Sequence, residues 1–357
     1  MKMRQVLSWV GHRIREGLLY LRYSVKSSVG KKLIFFPSNP IDGGSSQFRA
    51  WELAAALEKL GWNCTVVPAQ LEYSQRLRLI KILKPDFAFI QQGRHPLNRH
   101  DMLCDIPYFF DIDDAYYLQP EYSEIFQNLC SNARGVIASS QNIASWCENY
   151  NSNVTVIWTG AKCPSTFPSP SPANRRPILV WTHHFIPNVN EYEREFFADI
   201  LRYVRKLVKF EVWIIGVKQN ANLETIHRIC AEEKIVMRHW PFLSYPKMLK
   251  LLSNASVGID IIDKGSAYNQ AKSFGKVLAY MRTGTPVVAT NTAEYPHFFK
   301  NGINGFLVNS LDEWVDAIAN LLLDGDLRER IARSAWEDFR KQLSIENLSK
   351  KVDTFLR

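Results

Sequence analysis

Long apolar runs are missing from this 357-residue sequence: although 46% of its residues are hydrophobic, no stretch of 18 is continuously apolar, which argues against a membrane-spanning helix. Paired cysteines are missing too. The six present (Cys64, Cys104, Cys130, Cys147, Cys163 and Cys230) include no C-x-x-C pair, and a chain this long needs no covalent staples, so reduced thiols in a cytosol are expected. Acidic residues are scarce at one end. Residues 1–32 hold eight Lys/Arg against the single Glu16, a net +7, which leaves only +2 of the formal +9 for the remaining 325 residues. The basicity therefore belongs to the N-terminal segment, and nucleic acid is not an expected partner.

That segment is also periodic. At about 100° per residue, Met3, Val6, Leu7, Val10, Ile14, Leu18, Leu21 and Val25 share one sector, with Arg4, Arg13, Arg15, Arg22 and Lys26 outside it. Residues 1–30 are therefore expected to form a basic amphipathic helix on an anionic membrane surface, making the protein cytoplasmic and peripheral on the inner face of the membrane. The other reading is an ordinary helix packed on its own domain or on a partner subunit. A cleaved secretory signal is not expected, because no small-residue cleavage site accompanies the stripe.

From Lys31 onward, short apolar runs alternate with helical patterns, and the length suits two domains of roughly 150 residues. LIFF (33–36), CTVV (64–67), FAFI (87–90), YFFDI (108–112), GVIAS (135–139) and VTVIW (154–158) read as parallel strands of a first α/β domain, residues 31–162. Its first loop carries Gly43 and Gly44, with Arg49 one turn into the next helix. That is a βαβ unit whose backbone can approach an acceptor or phosphate, although Gly-Gly also serves ordinary tight turns. The loop after FAFI offers Arg94, His95, Arg99 and His100, and the loop after YFFDI offers Asp111, Asp113 and Asp114. Both lie at strand ends, where open α/β sheets bind ligands. Asp113 and Asp114 are equally suited to capping the next helix, and with no His or Cys in reach no metal site is expected.

CPSTFPSPSPANRRP (163–177), with five prolines and four serines, reads as a semi-extended linker. Beyond it come ILVW (178–181), FEVWIIG (210–216), IVMRHW (235–240), VGIDII (257–262), PVVAT (286–290) and GFLV (305–308), a second doubly wound domain over 178–342. The fold class is thus α/β, two Rossmann-like domains facing a cleft, with a last helix over 343–357 free to pack elsewhere. From Tyr268, the apolar positions Phe274, Val277, Leu278 and Met281 read as one helix up to Thr283-Gly284-Thr285-Pro286. On it Lys272 and Lys276, four apart, would share a face suited to two phosphates; the alternative is a solvated surface.

These residues resemble the retaining, nucleotide-sugar-dependent glycosyltransferases of the two-Rossmann (GT-B) type, the large family-4 group. The resemblance spans about residues 33–340 and is most specific in AKSFGKVLAYMRTGTPVVAT, AEYPHFFKNGINGFLV and DEWVDAIANLLLDGDLRERIARSAW. It implies that the second domain holds a nucleotide diphosphate sugar and the first an acceptor, and that the final helix crosses back to the first domain. On that basis Asn269, Lys272, Ser273, Lys276 and Glu294 are donor-binding candidates, with His183 and His184 where the family offers a basic residue to the diphosphate. His95 and Asp111 would bind or orient the acceptor. The family's two glutamates, eight apart, fall on Ala271 and Ala279, and a methyl group cannot accept a hydrogen bond from a ribose.

The expectation is a glycosyltransferase that moves a sugar, with retention, to a glycan or lipid-linked acceptor in surface polysaccharide or glycoconjugate synthesis, without metal or cofactor. The two alanines motivate the alternative of a non-catalytic subunit of the same fold that scaffolds an active partner.

Overall fold

In the computed structural model, twelve strands among the described residues (30–41, 44–103, 105–182, 191–217 and 219–357) form two parallel sheets. The expectations for residues 1–29, Gly43, His183 and His184 lie outside the described residues. The first sheet comprises β1 (Lys32–Phe36), β2 (Asn63–Val66), β3 (Phe87–Gln91), β4 (Tyr108–Ile112), β5 (Gly135–Ala138) and β6 (Val154–Val156), in the order β2-β1-β3-β4-β5-β6. The second comprises β7 (Ile178–Thr182), β8 (Glu211–Ile215), β9 (Val236–Trp240), β10 (Val257–Asp260), β11 (Val287–Thr290) and β12 (Phe306–Val308), in the order β12-β11-β10-β7-β8-β9. Every expected run is a strand. The central ones are buried along their whole length because helices cover both faces, which is why they read as continuous apolar runs.

The chain leaves the second sheet through the helix Gly325–Gln342 and ends in the helix Ile345–Leu356, which packs on the first domain. Its Ile345, Leu348, Val352 and Leu356 join Leu33, Phe35 and Phe89 in one apolar cluster, and Asp353 accepts from the Trp62 indole N–H at 2.7 Å. The crossing is tight. Ala161 pairs with Ser344, and a Cβ on the adjacent Gly160 would lie 2.3 Å from Leu348 Cδ1 and 2.5 Å from the Leu343 carbonyl oxygen, so only glycine fits there.

The Pro/Ser segment, expected as a semi-extended linker, is bonded to the second domain. Arg175 is buried and donates to the carbonyls of Pro170, Ala255 and Thr283, while Arg328 donates to those of Pro172 and Ala173. Two guanidinium groups thus bond the segment's carbonyls to the second domain, and Phe167 packs edge-on against Trp336.

Candidate active site in the interdomain cleft

In the second sheet, β7 and β10 are neighbours from which the chain winds outward in opposite directions, and a ligand crevice opens beyond their carboxyl ends. Tyr280 is fully buried beside β10. Its ring lies against Gly258 of β10, where any Cβ would come within 2.6 Å of ring atoms, and its hydroxyl accepts the Thr182 N–H at 2.9 Å. Asp260, at the end of β10, is buried and fully engaged: one oxygen meets Lys276 Nζ at 3.1 Å and the other accepts the Tyr295 hydroxyl at 2.5 Å.

The helix expected to carry both lysines is broken. Ala267–Gln270 and Val277–Arg282 are helical, and Ala271 to Lys276 form a turn between them, so the lysines do not share a helix face. The turn nevertheless brings both to one cavity of about 570 Å³, together with Ser273 and Gly275. Lys276 is held by Asp260. Lys272 has no such ion pair among the described residues, and its Nζ stands 5.7 Å from the centre of the Tyr268 ring. Burial, then the neighbouring Lys276, lower its pKa, with Asp260 and Asp114 opposing.

The opposite wall is the first domain. Asn39, Pro40 and Gly44 of the loop after β1 line it, with Arg94, Asp113 and Asp114 from the loops after β3 and β4. Asp113 accepts from the Gln92 side-chain amide. Asp114 is pushed up to about 7 by burial and by Asp113, against the pull of Lys272, Arg94 and Lys276. Across the opening Tyr116 meets Tyr268 edge-on at 5.6 Å, and the Arg94 guanidinium lies 4.4 Å over the Tyr116 ring. Aromatic rings therefore separate the cation of each domain.

Several expected site residues face elsewhere. Asp111 and Arg49 are 1% and 5% exposed, and Arg49 donates from Nε and Nη2, one edge of its guanidinium, to the two Asp111 oxygens at 2.8 and 2.5 Å; its Nη1 donates to the Ile157 carbonyl and the Thr159 hydroxyl. Burial opposes the Arg49 charge, but Asp111 outweighs it and holds the pKa above its ordinary value. This pair ties the first helix to β4 and the loop after β6. His95 lies behind the cavity wall: its Nδ1 accepts the Leu97 N–H at 3.0 Å, and burial beside Arg76 lowers it to about 4, so it is neutral at physiological pH. Asn269 is buried and does not line the cavity. Glu294 turns to the first domain, accepting the Gln141 N–H at 2.8 Å and the Trp158 indole N–H at 2.7 Å. Ala271 and Ala279 are both 1% exposed, in apolar clusters of different domains, and leave no polar hole. Missed by the sequence reading were Asp260, Tyr268, Tyr295 and Tyr116; Asp260 ends a strand, a signal that could have found it. Among the described residues no group of three His, Cys, Asp or Glu is placed to hold a metal.

Two parallel-sheet domains whose strand ends face one cleft define the GT-B class, and the chain has that fold. Residues 176–324, almost all in the second domain, match the family model described as glycosyl transferases group 1. The D-inositol 3-phosphate glycosyltransferase of Corynebacterium jeikeium is 35% identical over 165 residues, 42% of this chain and 38% of that protein. Its Corynebacterium urealyticum counterpart is 36% identical over 124 residues, 32% of this chain and 28% of that one. The matched region thus spans well under half the length of these curated relatives. Among solved structures, Anabaena HepE in complex with UDP and glucose superposes with a TM-score of 0.69 at 15% identity, over 91% of this chain and 99% of that one. An alpha-glucosyltransferase solved with UDP-glucose and DNA containing an abasic site gives 0.68 at 14% identity, over 92% and 100%.

Removing one charge of the Arg49–Asp111 pair tests its structural role. Asp111→Asn is expected to lower unfolding free energy by about 3–5 kcal/mol, because a buried guanidinium loses its counter-charge, read as a lower urea midpoint.

Proposed function

We propose that the protein is a glycosyltransferase that moves a sugar from a nucleoside diphosphate sugar, bound by the second domain, to a glycan or lipid-linked acceptor held by the first. The observation that carries this is Lys272, a cation without an ion-pair partner among the described residues, in a cavity between the carboxyl ends of both sheets. Preorganised positive charge beside a departing diphosphate is the main electrostatic requirement of such a transfer. Lys276, fixed by Asp260, supplies the second positive charge in a set position. Relatives named as glycosyltransferases and GT-B neighbours solved with UDP support the donor class. Transfer with retention, and a place in surface polysaccharide or glycoconjugate synthesis, are part of this reading.

Isothermal titration with a panel of nucleotide sugars tests it directly, since a non-catalytic scaffold should bind none of them. Lys272→Ala should weaken donor binding by about one to two powers of ten with unfolding unchanged, the loss of one charge-assisted contact. The same titration should show tighter binding on the acid side of pH 7. Asp114, raised to about 7, is neutral there and no longer repels the phosphates, so a proton is taken up as donor binds.

Lysine ammonium groups in place of a metal ion imply turnover without divalent metal or cofactor. Full activity in EDTA is the expected result; activity abolished by EDTA and restored by magnesium would return Asp111 and Asp113 to consideration as metal ligands.

The basic segment over residues 1–30 is proposed to hold the enzyme on an anionic inner membrane face, beside lipid-linked acceptors, because eight basic side chains lie within the first 32 residues. Deleting residues 1–29 should abolish sedimentation with anionic liposomes while leaving donor binding unchanged; aggregation of the truncated protein would assign the apolar stripe to its own core.

A further inference from the structure

A second cavity, of about 550 Å³, lies beside the cleft across the π-helical turn Gln47–Glu52, and its size falls within the ~300–1,000 Å³ of small-molecule sites. Phe48 is the partition. It lines the cleft, and its ring meets that of Tyr245 edge-on at 5.2 Å, with Tyr245 lining the second cavity. The loop after β1 rims both, with Pro40 on the cleft and Ile41 on the second cavity. Both domains contribute walls: Trp51 and Glu52 come from the first, Ser244 and Tyr245 from the second.

Two polar atoms here are out of place unless something binds. Among the described residues the Trp51 indole N–H, shielded from solvent, has no hydrogen-bond partner, and the shielded Tyr245 hydroxyl, which faces the Arg282 guanidinium, has no acceptor for its own proton. An indole N–H can only donate, so its missing partner is an acceptor, and burial without one is unfavourable until it arrives. Charge narrows the choice. Lys59 and Lys162 oppose Glu52 and Glu346, so the wall carries no net charge. Glu52 is already fixed, accepting the Lys162 N–H at 2.8 Å and the Gln47 side-chain amide at 3.2 Å.

We propose that this cavity is a second saccharide subsite, which takes a neutral sugar residue of the acceptor glycan one or two units from the reacting end. The C–H face of a sugar packs on the indole, its hydroxyl oxygens accept from Trp51 and Tyr245, and its hydroxyl protons go to Glu52 and Glu346. An alkyl chain would leave both donors unpaired, and an anion would meet two carboxylates. The assignment to an acceptor rests on the glycosyltransferase reading; sugar binding at Trp51 does not.

The test uses the full chain labelled with 5-fluorotryptophan, the Trp51 signal being identified among the ten tryptophans by Trp51→Phe. Maltose, cellobiose and N,N′-diacetylchitobiose are titrated with and without saturating UDP and followed by fluorine NMR. At least one disaccharide should shift the Trp51 signal, with UDP present or absent, and Tyr245→Phe should weaken that binding about five- to tenfold, the effect of one hydrogen bond. A Trp51 signal unmoved by all three sugars, unchanged affinity in Tyr245→Phe, or an equal response to hexanoate or inorganic phosphate would each overturn the subsite. A shifted Trp51 signal beside a flat nucleotide-sugar titration would overturn the glycosyltransferase reading and leave the subsite standing.

Discussion

The buried carboxylate of Glu294 is where the two domains are joined most directly. It belongs to the second domain, yet both its oxygens are satisfied by the first, through the N–H that opens the helix Gln141–Cys147 and through the indole of Trp158. A carboxylate this deeply buried needs such donors, because an unpaired charge away from water is far costlier than the bonds that replace it. Ser140 extends the seam by donating to the Ala271 carbonyl at 2.7 Å, and the Thr159 N–H by donating to the Ser273 hydroxyl at 3.4 Å. The cavity walls come from different domains, so the seam sets how far apart they stand.

On that footing the cleft divides its charges by task. Lys276 and Asp260 neutralise one another within the second domain, fixing the lysine's position. Lys272 and Asp114 face each other from opposite walls without being bonded, so an arriving anion displaces attraction between domains and not a formed ion pair. Arg49 and Asp111 are a third arrangement, a pair sealed inside the first domain whose work is to hold β4 against the first helix.

The two alanines acquire a physical meaning in this setting. Ala271 packs with the first domain's apolar residues, and its carbonyl takes part in the seam; Ala279 packs in the same apolar cluster as Tyr280, whose hydroxyl accepts the Thr182 N–H. Glutamates at these positions would have to be charged inside apolar clusters. Their absence is matched by the surroundings, and the polar work of the site passes to Lys272, Lys276, Asp260 and Tyr295.

What the sequence determined by itself was the architecture. Strands buried on both faces must be apolar throughout, so all twelve were legible as runs, and a last helix over 343–357 was expected beyond the second sheet. Lys272, Lys276 and Ser273 were named as donor-binding candidates by the resemblance, and the fold brings all three to the cavity, though not on the shared helix face that the lysine spacing implied. Tertiary structure decided the rest. Whether a strand-end Asp, His or Glu faces ligand or protein depends on which donors the fold brings to it: Arg49, 62 residues from Asp111, turns that carboxylate inward, and Gln141 and Trp158 do the same for Glu294. The break between Gln270 and Val277 likewise follows from contacts with the other domain at Ala271 and Ser273, which no local periodicity records.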